Sequence, residues 1–131
     1  MPATFLFCEL LSPERIRWLG EALGNRDEMV GTVFLTGDAL FSLVDARTQD
    51  TWKALAGLPH LRIIADGDEL QLHGLKDSVV SGSPGITIAG NSGQDSFWPM
   101  LTSSLQAQWS NPQRAGFLLC HGPYMNRVTV Y

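Results

Sequence analysis

Apolar positions in this chain fall into two rhythms that alternate along its length: short unbroken runs, and stripes repeating every three or four residues. Unbroken runs of roughly four to eight are the pattern of strands buried on both faces, and the stripes are the helix faces that cover them. Residues 4–8 form the first run, rich in aromatics and read as the central strand. Ser12 then offers a helix cap and Pro13 suits the first helical position, with Ile16, Leu19 and Leu23 on one stripe before a stop near Gly24 and Asn25. A second buried run covers residues 29–36, broken by Gly37 and Asp38 before a helical stretch over 39–44. Trp52 and Leu55 mark another short helix, stopped by Gly57 and Pro59, and residues 61–65 read as a third strand.

Asp66, Gly67 and Asp68 turn the chain into a helix over residues 69–75 of about two turns. Residues 78–85 hold small side chains, two glycines and a proline, which predicts a loop, and residues 86–89 a fourth strand. Trp98, Leu101, Leu105 and Trp109 mark the next helix; Pro99 lacks an N–H and belongs in its first turn, so Asp95 or Ser96 is the expected cap. Asn111 and Pro112 end it, and residues 115–120 form a fifth apolar run. Residues 127–131 alternate with period two, and 121–125 are too few for a parallel crossover, so the last segment is expected to pair antiparallel at an edge. The prediction is one α/β domain over residues 1–131: a three-layer sandwich with a mostly parallel sheet of about five strands and an antiparallel edge strand.

Length and composition agree with one core, since 131 residues at 44% hydrophobic content supply enough apolar surface for it. Nine Lys and Arg are scattered against 13 acids, giving a net charge of −4; with no basic face to neutralise phosphates, no nucleic-acid partner is expected. The first residues lack the basic lead-in and cleavage pattern of a signal peptide, and no apolar stretch approaches the roughly 20 residues that span a bilayer. A soluble protein with no membrane partner follows as the expectation. Cys8 and Cys120 are too few and too far apart for a disulfide framework or a zinc site, so reduced thiols, a cytoplasmic location and no metal or other cofactor are expected.

Ligands of open α/β sheets bind outside the carboxyl ends of the strands, where loops and helix N-termini converge. That rule selects Cys8, Glu9, Asp38, Asp66, Asp68, residues 91–95 with Asn91 and Ser92, and the pair Cys120 and His121. A thiol beside an imidazole can be held as thiolate and act as nucleophile or sulfur acceptor, which makes Cys120 and His121 the catalytic candidates; a core cysteine followed by a turn histidine is the plainer account. Asp66 and Asp68 could serve as acid or base, or bind a hard cation with Asp38, although capping of the following helix explains them with less. Gly90, Asn91, Ser92 and Gly93 precede a helix as anion-binding loops do, but no Lys-Ser or Lys-Thr ending follows and Asp95 would repel an anion. His60 and His73 have no partners at metal spacing, and the four tryptophans fill the core or a subunit contact.

Over residues 33–74 the chain resembles the DsrE/DsrF-like sulfur-relay family, whose small α/β domains pass persulfide sulfur between proteins. The resemblance lies in Phe34-Leu35-Thr36-Gly37-Asp38-Ala39-Leu40 after the second strand, residues 52–58 before the third, Ile63-Ile64-Ala65-Asp66 leading into Glu69 to Leu75, and Asn126-Arg127-Val128 near the end. It implies a homo-oligomer, trimer or hexamer, and sulfur-relay proteins as partners. It also places the family's sulfur-carrying cysteine at or beside Asp66, yet no cysteine occurs between Glu9 and Leu119. A carboxylate cannot hold a persulfide, because transfer needs a thiolate to attack and keep the terminal sulfur. Either Cys120 has taken over, or the chain is a non-catalytic or altered member; a small-molecule-binding domain at the strand ends is the third reading.

Overall fold

A computed structural model of the chain describes residues 2–24, 30–83, 85–90, 96–109, 117–121 and 127–130, with side chains for 4–21, 31–83, 85–90 and 96–104. Six strands form one sheet in the order β4-β3-β2-β1-β5-β6, with β1 Pro2–Phe7, β2 Val30–Leu35, β3 Leu61–Asp66, β4 Thr87–Ala89, β5 Phe117–His121 and β6 Arg127–Val130. The first five are mutually parallel and β6 pairs antiparallel with β5, the edge arrangement that the short final connection requires. The helices are α1 Pro13–Gly24, α2 Gln49–Ala56, α3 Gly67–Leu72, α4 Lys76–Gly82 and α5 Phe97–Trp109, with a 3₁₀ helix over Gly37–Leu43.

Strand order explains the layers. The chain winds in one direction from β1 to β4 and then returns past β1 to β5. Crossovers keep one hand, so the returning helix must lie on the opposite face. On one face Phe5, Phe7, Val33, Leu35, Ile63 and Ala65 pack with Ile16 and Leu19 of α1, Trp52 and Leu55 of α2, Leu70 of α3 and Val79 of α4. On the other, Leu6, Phe34, Ile64 and Ala89 meet Phe97 and Leu101 of α5. Alternate positions of each central strand therefore feed different cores, which is why these strands read as unbroken apolar runs.

Two local expectations are corrected and a third is given its helix type. Residues 78–85 were expected as a loop, whereas Lys76–Gly82 is helical. Val79 is buried in the main core and the Ser81 hydroxyl folds back onto the Asp77 carbonyl at 2.9 Å, so burial outweighs the low helix propensity of the small residues. The helical stretch expected over 39–44 is present as a 3₁₀ helix over Gly37–Leu43, which buries Ala39, Leu40, Ser42 and Leu43 within seven residues. The helix expected over 69–75 starts earlier, because Asp66 caps it, and ends at Leu72 because Gly74 turns the chain at φ +70° directly into α4. Pro99 does fall in the first turn of α5, as its third residue after Phe97 and Trp98. Asp95, the other expected cap, lies outside the described residues.

Trp52 anchors the main core. Its ring is fully buried, and Nε1 donates to the Ser42 hydroxyl at 2.9 Å, which in turn donates to the Ala39 carbonyl at 2.6 Å. The Thr48 hydroxyl donates to the Ser42 carbonyl, so the 3₁₀ helix and α2 are tied by satisfied polar groups. Trp18 and Trp98 lie at the surface instead, on opposite sides of the sandwich.

Candidate functional site

The carboxyl ends of the parallel strands gather Cys8 and Glu9 after β1, Thr36 to Asp38 after β2, Asp66 at the end of β3, Gly90 after β4 and His121 at the end of β5. The rim is held by short backbone contacts. Thr36 N–H donates to the Phe7 carbonyl at 3.0 Å, extending the ladder one step beyond β2. Gly37 then sits at φ +56°, and a Cβ there would lie 2.7 Å from the Cys8 carbonyl oxygen, so only glycine fits. That tight crossing is what brings the loops after β1 and β2 together.

Asp66 is the best-defined polar group on this rim. It is 2% exposed, and its carboxylate is fully engaged: Oδ2 accepts from the Thr36 hydroxyl at 2.9 Å, while Oδ1 accepts from the backbone N–H groups of Asp68 at 3.2 Å and Glu69 at 3.4 Å. A buried carboxylate is tolerated where donors replace its lost water, and here a hydroxyl and the first turn of α3 do so. Gly67 follows because a Cβ would stand 3.0 Å from the Ile88 side chain and 3.1 Å from the Ala89 carbonyl oxygen. The Thr36–Asp66 bond was not anticipated from sequence; the signal available was a Thr-Gly-Asp step leaving one strand opposite an acidic residue leaving the next.

Cys8 is half-buried and in no disulfide. Burial pushes its thiol up from the ordinary value, and the neighbouring Glu9 carboxylate adds to the shift, which makes it a poor nucleophile at neutral pH. Cys120 and His121 are consecutive positions of β5, in register with Leu6 and Phe7 of β1, and Cys120 also pairs with Arg127 of β6. Leu6 and Phe7 belong to different cores, as consecutive strand positions must. Asp38 is exposed near the start of the 3₁₀ helix. Asn91 and Ser92 lie outside the described residues.

The rim therefore brings Thr36, Asp38 and Asp66 to neighbouring strand ends and leaves His121 farther off. β3 and β5 are separated by three strand spacings, about 14 Å, so Asp66 and His121 share an edge of the sheet without sharing a contact. Winding reverses between β1 and β5, the position where open α/β sheets have their ligand crevice, and Cys8, Glu9 and His121 flank it. A groove of about 550 Å³ lies elsewhere, on the outer layer between α1 and α2, lined by Arg17, Gly20, Glu21, Thr51 and Leu55. Among the described residues, no three His, Cys, Asp or Glu side chains group closely enough to hold a metal ion, and no helix is long and apolar enough to cross a membrane.

Comparisons of the chain with profiles of known protein families, with curated sequences and with solved structures find no match. What the fold and rim define is thus a class: a doubly wound α/β protein with a reversed crossover and a carboxylate-braced rim.

Proposed function

We propose that this chain is a DsrE-like protein of sulfur metabolism that acts as a non-catalytic or altered member of a sulfur-relay assembly. Asp66 carries the reading. It occupies the place that the resemblance gives to the sulfur-carrying cysteine, and it is committed to bracing Thr36 and capping α3. A group so engaged holds the rim together and is closed to group transfer. By the same resemblance the protein works as a homo-oligomer, a trimer or hexamer, alongside sulfur-relay proteins in the cytoplasm, where its thiols stay reduced.

Mass spectrometry after incubation with inorganic polysulfide tests the reading. A protein thiolate that acts as carrier attacks a sulfane sulfur, breaks its S–S bond and gains about 32 Da, one sulfur atom. The expected result is no adduct on Cys8 or Cys120. An adduct lost in Cys120→Ser would overturn the reading in favour of a carrier using Cys120 with His121. Light scattering tests the assembly, since a monomer at working concentration would remove that part.

A second reading, a small-molecule site at the strand carboxyl ends, is favoured by the reversal of winding between β1 and β5. It predicts that a metabolite raises the melting temperature increasingly, roughly with the logarithm of its concentration above Kd, and that substitution of Glu9 reduces the shift.

A further inference from the structure

The 3₁₀ helix and α3 leave a mixed apolar and acidic surface beside the rim. Phe41 is 36% exposed and Leu72, next to His73 in the chain, 76% exposed, and the His73 ring lies 5.1 Å from that of Phe41, tilted by 53°. His73 Nε2 is 3.3 Å from Glu69 Oε2, one turn back on the same side of α3. Positions three apart eclipse in a 3₁₀ helix, so Asp38 stands above Phe41, while Asp68 lies one turn before Leu72. Residues 37–43 and 67–73 thus contribute Asp38, Asp68 and Glu69 and no Lys or Arg. Of the flanking cations, Arg47 is bound to Asp45 at 2.9 Å, and Lys76, at the start of α4, lines a groove with Gln71, Gly74 and the acidic Asp77.

We propose that this surface docks a cationic segment of a partner protein bearing leucine-like side chains, with Phe41, Leu72 and His73 as the apolar contact and the three carboxylates as its charged border. Charge decides between occupants. A second copy meeting this patch about a two-fold axis would set like acids against each other, and each chain carries a net −4. An anionic membrane would be repelled in the same way. A basic segment gains from both halves of the surface. The inference stands on these exposures and charges and does not require that the protein handle sulfur.

The probe is a fluorescein-labelled peptide of about twelve residues with Lys and Leu at helical spacing, set against a Glu/Leu counterpart of the same pattern. Anisotropy should show binding of the Lys/Leu peptide alone, weakened by salt as exposed charges are screened. The double variant Phe41→Ser/Leu72→Ser should lose about tenfold in affinity, or about 1.4 kcal/mol, and Asp38→Asn/Glu69→Gln a similar amount. Val80→Ser, at an exposed apolar position on α4, should change nothing. No binding, or binding indifferent to the Phe41/Leu72 pair, would overturn the proposal. So would wild-type self-association abolished by Leu72→Ser, which would give the surface to a second copy. Leu72 is solvated, so the single variant is expected to fold, and circular dichroism checks the double.

Discussion

The two faces of the sheet are covered by very different amounts of chain. Helices α1 to α4 and the 3₁₀ helix pack on one, around a core that runs from Phe5 to Ile86, whereas among the described residues α5 alone buries apolar side chains against the other. Both cores draw on the same strands. Phe34 and Ile64 supply one, Val33, Leu35, Ile63 and Ala65 the other. The difference comes from winding direction: three successive crossovers in one sense accumulate on one side, and a single return crosses to the other. One face thus becomes a thick, polar-braced scaffold and the other a single helix laid over β1, β2 and β3. The rim, where both are joined to the strand ends, takes its rigidity from the thick side through Asp66 and Thr36.

If the thick face dominates stability, Trp52→Ala should be the costliest single change, at about 4 kcal/mol in urea unfolding, from the loss of a fully buried indole. It also removes the donor to the Ser42 hydroxyl, which keeps only its own bond to the Ala39 carbonyl. Phe97→Ala removes the main side chain of the thin face, whose ring lies edge-on to Phe34 at 5.5 Å. About 3 kcal/mol is expected, because a single helix can settle toward the sheet more easily than four interlocked elements. A larger loss for Phe97→Ala than for Trp52→Ala would break the contrast between the faces.

Asp66→Ala probes the link between scaffold and rim. It removes the α3 cap and leaves the Thr36 hydroxyl buried without its acceptor, so about 2 kcal/mol is expected, with Asp66→Asn recovering part of it. Amide exchange of Asp68 and Glu69 should quicken in the Ala variant, since their N–H groups lose their acceptor. Unchanged exchange would mean that the carboxylate does not organise the rim.

Much of this architecture was legible in the residues. Unbroken apolar runs marked the central strands because those strands serve two cores, and the few residues between β5 and β6 forced an antiparallel edge. Helix α4 was not legible: Ser78, Ser81 and Gly82 read as loop, and only the burial of Val79 in three dimensions makes the segment helical. The site was legible as geography and, in its chemistry, only in part. Position after a strand selected Cys8, Glu9, Asp38 and Asp66, and the capping of α3 by Asp66 could be read locally, but its second bond depends on Thr36, thirty positions earlier, and no local pattern encodes a contact between different strand ends. The surface of Phe41, Leu72 and His73 was hidden for a related reason, since periodicity marks residues that face a core and is silent about apolar residues left outside.

The smallest expected effect is at Cys8, where β1 leaves both cores. Its thiol is raised by burial and then by Glu9, so the fold disfavours the thiolate. Between the ordinary thiol value, about 8.5, and the raised folded value, the unfolded chain releases the proton while the native one keeps it, and stability falls as pH rises through that window. Subtracting the curve of Cys8→Ser isolates the contribution from other alkaline titrations. Iodoacetamide labelling, mapped by mass to Cys8 and not Cys120, should rise only above the ordinary thiol range, and Glu9→Gln should move that rise downward. Equal profiles with and without the Glu9 charge would leave burial as the sole cause and make the loop after β1 part of the packed scaffold, so that the rim at β1 would be closed in the way Asp66 closes it at β3.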